Sequence, residues 1–324
     1  MDAAGSALRA GDPALAFRAR QVNFPDEVDF FAPGLKHYAT PELVQSHPRA
    51  WLPVSLTGSG CALACDHCKM QVLRPMLSAP TAGGLYELCR NLAQTGTRGV
   101  LISGGSDRNG EVPLLQHIEE IARVKRDLGL RVVVHTGLAT PETARALRAV
   151  GVDGAMIDLI GSDSTIHEVY HLPHRGVEDF EASLAALKAA GLRVIPHIVL
   201  GLHYGEFRGE FEALRMVARQ RVETLVLVVL TPLLGTPMEG ARVPEIEEVR
   251  GFFTHARLTL PEARLLLGCA RPMGPIKTDI DRAAIDAGFN GIAFPADGIV
   301  RYATDRGLKP RLFEFCCSLT WETD

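Results

Sequence analysis

The sequence predicts an α/β protein built as a (β/α)8 barrel of the TIM type, and three observations predict it. From residue 51 onward, short β-rich runs alternate with amphipathic stretches of helical length, the pattern of a parallel sheet covered by helices. Several of the β runs are almost wholly apolar, as expected of strands buried on both faces. Eight such units fill residues 51–306, close to the roughly 250 residues that such a barrel takes. A doubly wound open sheet is the alternative that the same alternation allows.

Taken in order, residues 1–50 read as a lead-in, with Pro at positions 13, 25, 33, 41 and 48. Phe30 and Phe31 in DFFAPGL offer this segment an apolar anchor on the main body. The predicted strands are LPVSLT (52–57), GVLIS (99–103), RVVVHT (131–136), GAMIDL (154–159), RVIPHIVL (193–200), TLVLVVL (224–230), ARLLLG (263–268) and NGIAF (290–294). Helices are expected near 82–95, 113–128, 141–149, 177–190, 208–219, 244–257, 276–287 and 296–306. Pro141 followed by Glu142 suits a first helical turn. AAGLR at 189–193 and DAGFN at 286–290 place Gly where a helix ends and a strand follows. Residues 307–324, GLKPRLFEFCCSLTWETD, are expected to form a tail outside the barrel.

Composition narrows the function. With 324 residues, 47% hydrophobic and 22% charged, the chain has the mix of a soluble globular protein with a full core. A net charge of −4 gives no basic footprint, so nucleic acid is not the expected partner. No apolar run reaches the roughly 18 residues of a membrane helix, and MDAAGSALRAGDPALAFRAR lacks the apolar stretch of a secretory signal. Seven Cys are too sparse, and odd in number, for a disulfide scaffold. The expected location is the cytoplasm, where clustered Cys serve as metal ligands or redox groups.

Directly after the first predicted strand comes Thr57-Gly58-Ser59-Gly60-Cys61-Ala62-Leu63-Ala64-Cys65-Asp66-His67-Cys68, a C-x3-C-x2-C spacing. Three thiolates on one loop can hold three irons of a 4Fe–4S cubane, whose usual complement is four Cys. The missing fourth ligand leaves one iron open to a small molecule. Barrel active sites sit on the loops that follow strands, which is where these residues fall. A zinc site using the three Cys and His67 is the alternative metal reading, and inert buried thiols are the structural one.

The triad at the start of a βα barrel resembles the radical S-adenosylmethionine superfamily. The resemblance implies that the open iron binds the amino and carboxylate groups of S-adenosylmethionine, and that reduction yields methionine and a 5′-deoxyadenosyl radical that abstracts hydrogen. Cys61, Cys65 and Cys68 would be the cluster ligands. The second strand ends in Ile102-Ser103-Gly104-Gly105-Ser106-Asp107, where the superfamily commonly has a Gly-Gly-Glu turn that meets the methionyl amino group; here Ser106 stands in place of Glu. Ser103, Gly104 and Gly105 are therefore candidate cofactor contacts, and an ordinary strand-end turn is the alternative. Asp158, at the end of the fourth strand, is offered to the ribose hydroxyls, and Gly201, in Val199-Leu200-Gly201-Leu202-His203, to the adenine region. His67 stands where an aromatic residue usually touches the adenine. Arg175, in HLPHRGVEDF, is a candidate for the methionyl carboxylate or for a surface ion pair. His135, His197 and His203 also sit near strand ends, where a lone His is more often a satisfied interior residue.

Of the other cysteines, Cys89 in LYELCRNL suits packing. Cys269 follows the seventh strand, and Cys316 and Cys317 lie in the tail. If the tail folds over the barrel mouth, these three can meet and hold an auxiliary cluster. Neighbouring residues of an extended chain point to opposite faces, so this requires the backbone to turn at the pair.

Eight βα units, GCARP, DAGFNGIAFP and the terminal CCS look like the biotin-synthase-like branch of the superfamily. More narrowly, FFAPGLKHY, VSLTGSGCALACDHC, LISGGSD, VVVHTGL, PHIVLGLHYG, VLTPLLGTPMEG, LGCARPMG and CCS resemble one partner of the two-protein lipoyl synthases, over residues 30–317. That resemblance implies sulfur insertion into the octanoyl chain of a lipoyl-accepting carrier, the glycine-cleavage H protein or an E2 lipoyl domain. It also implies a second radical S-adenosylmethionine lipoyl synthase component, a ferredoxin or flavodoxin electron donor, and a sacrificed second 4Fe–4S cluster as sulfur source. Biotin synthase holds its auxiliary cluster with barrel-strand cysteines, and this chain has none on strands two to six. The rivals are a biotin-synthase-like mutase or cyclase that inserts no sulfur, and a non-catalytic iron–sulfur or zinc barrel.

Overall fold

The computed structural model describes residues 11–34 and 37–319. Eleven strands form one sheet in which every named pairing is parallel: β1 (Glu27–Phe31), β2 (Trp51–Ser55), β3 (Leu77–Ser78), β4 (Gly99–Ser103), β5 (Arg131–His135), β6 (Gly154–Asp158), β7 (Val194–Leu200), β8 (Thr224–Val229), β9 (Arg264–Leu267), β10 (Gly291–Ala293) and β11 (Lys309–Phe313). The sheet order is β11-β1-β10-β9-β8-β7-β6-β5-β4-β2-β3. The eight predicted strands are β2 and β4 to β10, each within two residues of its expected ends. They make the barrel wall, and β8 is buried along its whole length, as a strand covered on both faces must be.

The helices are α1 (Pro13–Asn23), α2 (Gly84–Gln94), α3 (Ile118–Leu128), α4 (Pro141–Ala149), α5 (Asp163–Glu168), α6 (Val177–Ala189), α7 (Glu210–Arg219), α8 (Ile246–Thr259), α9 (Pro275–Asp286) and α10 (Ile299–Asp305); all but α1 and the short α5 follow the strands as the alternation predicts. Thr140 caps α4 by accepting from the Thr143 N–H, with Pro141 in its first turn. Gly191 and Gly288 end α6 and α9 with φ of +76° and +75°, the left-handed stop that glycine adopts freely.

The two ends of the chain depart from expectation. The lead-in does more than pack on the barrel, and the tail is not outside it: each adds a strand to the same sheet. The free edge of the three-residue β10 is taken by β1, from Asp29↔Gly291 to Phe31↔Ala293, and β1 in turn pairs with β11 from Glu27↔Lys309 to Phe31↔Phe313. Among the described residues no ladder joins β10 to β2, so the wall extends through β1 and β11 beyond the eight predicted strands. Phe30 and Phe31 are fully buried, and Phe31 stacks on Phe313 at 5.8 Å between ring centroids. Because β11 runs parallel to β1, the chain leaves β11 at the C-terminal end of the barrel strands. There Glu314 accepts from the Ser46 N–H and, at 2.7 Å, from the His47 N–H.

Candidate functional site

The loop after β2 carries Cys61, Cys65 and Cys68, and hydrogen bonds inside the chain hold it in place. Thr57 Oγ1 donates to the Gly60 carbonyl at 2.8 Å and accepts from the Gly105 N–H at 2.7 Å. Cys61 Sγ lies 3.8 Å from the Ser106 carbonyl and Cys65 Sγ 3.9 Å from the Tyr170 carbonyl. Asp66, between the cysteines, accepts from the Tyr204 hydroxyl at 2.6 Å and lies 3.0 Å from Lys69 Nζ and 3.1 Å from His171 Nε2. Burial resists its ionisation, but these partners prevail and hold its carboxyl below the ordinary range.

Three soft sulfurs on one loop fit an iron–sulfur cluster. Burial, then the charges of Cys68 and Cys61, push the Cys65 thiol well up, and burial does the same to Cys68, so these thiols call for a cation. Three thiols are a soft donor set of the kind that cubane clusters take, and with no fourth thiol on the loop one corner is left open.

Around the triad the structure sorts the other candidates. Gly105 is pressed against the cysteine loop: a Cβ there would stand 2.0 Å from the Gly60 carbonyl oxygen and 2.5 Å from Cys61 Cα. Its missing side chain thus serves loop packing. The Ser103 hydroxyl donates to the His135 carbonyl at 3.2 Å, and a Cβ on Gly104 would meet Thr57 Oγ1 at 3.1 Å. The Gly201 N–H is taken by Glu210 Oε1 at 2.8 Å, with Pro244 occupying the space a side chain would need. Arg175 pairs with Asp179 at 3.1 Å, one turn along the start of α6, and its Nε is buried without a partner. The His67 ring lies 5.2 Å from the Tyr170 ring, and its Nδ1 is buried without a partner. His203 is a satisfied interior histidine, with Nδ1 3.1 Å from Thr165 Oγ1.

Asp158 ends β6 between His135 at the end of β5 and His197 on β7, with Asp158 in register with His197. His135 Nε2 is 3.5 Å from Asp158 Oδ1, and the two imidazole centroids are 5.8 Å apart. Burial opposes ionisation of Asp158, yet His135 above all holds its carboxyl at about 2. Burial and the neighbouring His135 charge lower His197 to about 4. Tyr170, which no motif announced, lies nearby; burial and then the Asp158 charge push its phenol well up. Its N–H reaches the carbonyl of Thr165, at 3.3 Å, in the short helix α5, which is not among the expected helices.

The remaining cysteines also gather. Residues 317–319 form a 3-10 turn closed by the Leu319 N–H on the Cys316 carbonyl at 2.9 Å, so the backbone turns at the pair. The neighbouring Cys317 thiol, with further help from Ser318 and His135, lowers Cys316 to about 7 against burial. The Cys316 thiol, burial and the charges of Cys316 and the nearby Cys269 hold Cys317 well above the usual thiol range. Cys89 is fully buried on α2, as packing predicts.

A parallel βα barrel with three thiols on the loop after its first wall strand, and three more at the same mouth, defines an iron–sulfur enzyme of the barrel class. The family model described as the Radical SAM superfamily matches residues 55–217, half of the chain, and the protein belongs to that superfamily. Membership implies a 4Fe–4S cluster and S-adenosylmethionine, which when bound supply the electron and the 5′-deoxyadenosyl group for radical chemistry. Its relatives are biotin-synthase-like. The chain is 27% identical to "Biotin synthase 2" of Corynebacterium diphtheriae over 66% of its length and 65% of that protein, short of two thirds of the relative. It is 25% identical to a biotin synthase of Acidithiobacillus ferrooxidans over 74% of the chain and 76% of that protein. Among solved structures, methylornithine synthase shares the fold, with a TM-score of 0.61 at 16% identity over 100% of this chain and 93% of that one. No helix among the described residues is long and apolar enough to cross a membrane.

Proposed function

We propose that this enzyme is a radical S-adenosylmethionine sulfurtransferase that inserts sulfur into the octanoyl chain of a lipoyl-accepting carrier, as one component of a lipoyl synthase. The observation that carries the reading is the second thiol set. Cys269, Cys316 and Cys317 meet at the barrel mouth because β11 delivers the tail there and the backbone turns at the cysteine pair. Sulfur insertion needs a donor apart from the triad cluster, which must survive to cleave the next S-adenosylmethionine. A set of thiols with its own place in the same mouth meets that requirement. The similarity to biotin synthases supports the same class of chemistry. The proposed partners are an octanoylated H protein or E2 lipoyl domain, a second lipoyl synthase component, and a ferredoxin or flavodoxin as reductant.

The test replaces Cys316 and Cys317 by Ala. The variant is expected to keep forming 5′-deoxyadenosine under a strong reductant but to stop thiolating an octanoylated carrier peptide, read by mass spectrometry. Undiminished thiolation would assign the sulfur to another source and sink the proposal.

A further inference from the structure

We infer that His135, Asp158 and His197 form a binding site for one divalent transition-metal ion, zinc or ferrous iron, in the barrel mouth and separate from both sets of thiols. The three residues come from β5, β6 and β7, adjacent strands of the wall, and one donor atom from each lies within 4.8 Å of the others. Ligand distances of about 2.0–2.2 Å for zinc put tetrahedral donors roughly 3.4 Å apart, so the three side chains draw together on the ion. Two imidazoles and a carboxylate are a borderline-soft set that selects zinc, ferrous iron and their neighbours over magnesium or calcium.

Details of the orientation support an ion rather than a plain ion pair. His197 Nδ1 faces the Ile195 carbonyl at 3.1 Å. A carbonyl only accepts, so Nδ1 carries the proton in that contact and Nε2 presents a lone pair. Metal-bound imidazoles are held in this way by a backbone carbonyl on the far nitrogen. The His135–Asp158 separation of 3.5 Å is longer than the about 2.7–2.9 Å of a charge-assisted hydrogen bond, so the two groups are not locked on each other. Their side chains are 26% and 32% exposed, which leaves an ion a path in. Three protein ligands leave a coordination position open, for water or for an anionic group of a substrate.

The test uses the full chain with its clusters assembled anaerobically, washed free of loose metal and titrated with zinc in a calorimeter. One zinc per chain is expected. His197→Ala should weaken it by at least about a hundredfold, the upper end of what losing an outer-shell partner alone costs. Asp158→Asn keeps the shape and should weaken it as well, while Cys316→Ala with Cys317→Ala should not. Unchanged melting curves show that the variants fold, and zinc-edge absorption should report nitrogen and oxygen neighbours only. No zinc bound by the wild type, affinity unmoved in both His197→Ala and Asp158→Asn, or sulfur in the zinc shell would each overturn the inference.

Discussion

Gly105 shows how a single residue sets the site. Its bare face lets the Gly60–Cys61 backbone close on the end of β4, while its N–H is held by Thr57. Gly105→Val should push the cysteine loop away and lower the iron bound by the triad after reconstitution. Gly104→Ala, whose Cβ would come no closer than 3.1 Å to Thr57, should keep most of it. Equal iron in the two variants would show that the loop does not depend on this contact. Glu210 carries a second prediction. It is buried at the start of α7, and burial raises its carboxyl from 4.5 to about 7 against the backbone N–H groups it accepts, while its Oε2 has no partner. Between those two values the folded state holds a proton that the unfolded chain has lost, so stability falls as pH rises through this window and is level above it. The loss amounts to about 3 kcal/mol. Glu210→Gln should abolish that slope, read from denaturant midpoints at about pH 5 and pH 8. A variant with the same slope as the wild type would refute it.

At the scale of elements, two of the strands that the alternation did not announce, β1 and β11, carry the tail to the site. Asp29 on β1 is buried, accepting from Arg264 at 2.6 Å and from Arg311 at 2.8 Å, and so it ties β9, β1 and β11 together. Removing one member of a buried pair strands the others. Asp29→Ala should cost about 2–3 kcal/mol, toward the low end because both arginines are partly solvated. The tail should loosen first, so hydrogen exchange at residues 309–313 should rise more than in β8. Uniform exchange across the sheet would mean that β11 does not depend on this network. The lead-in strand was hard to read because EVDFF is short and flanked by prolines. β11, KPRLF, is mostly exposed or half-buried and lacks the apolar run by which the wall strands were recognised.

At the scale of the whole molecule, parallel pairing throughout directs every strand's C-terminal end to one mouth, and three chemistries converge there: the triad, the His135–Asp158–His197 group and the tail thiols. On the proposed reading, the reconstituted wild type should hold about eight irons, two four-iron clusters, and a variant with Ala at Cys61, Cys65 and Cys68 about four. A triad variant with no iron would leave the tail thiols without a cluster.

The sequence by itself determined the eight βα units, their order and the triad. These are local properties: apolar runs and helical periodicity repeat within each unit, and the C-x3-C-x2-C spacing lies on one short loop. It also contained the conditional statement that Cys316 and Cys317 could act together only if the backbone turned. Only the tertiary structure decided that it does, that Cys269 lies near them, that Gly105 serves the cysteine loop, and that two histidines expected to be solitary flank Asp158. Each of these depends on residues far apart in sequence, brought together by strand register and by the parallel docking of β1 and β11, and no local pattern encodes such a meeting.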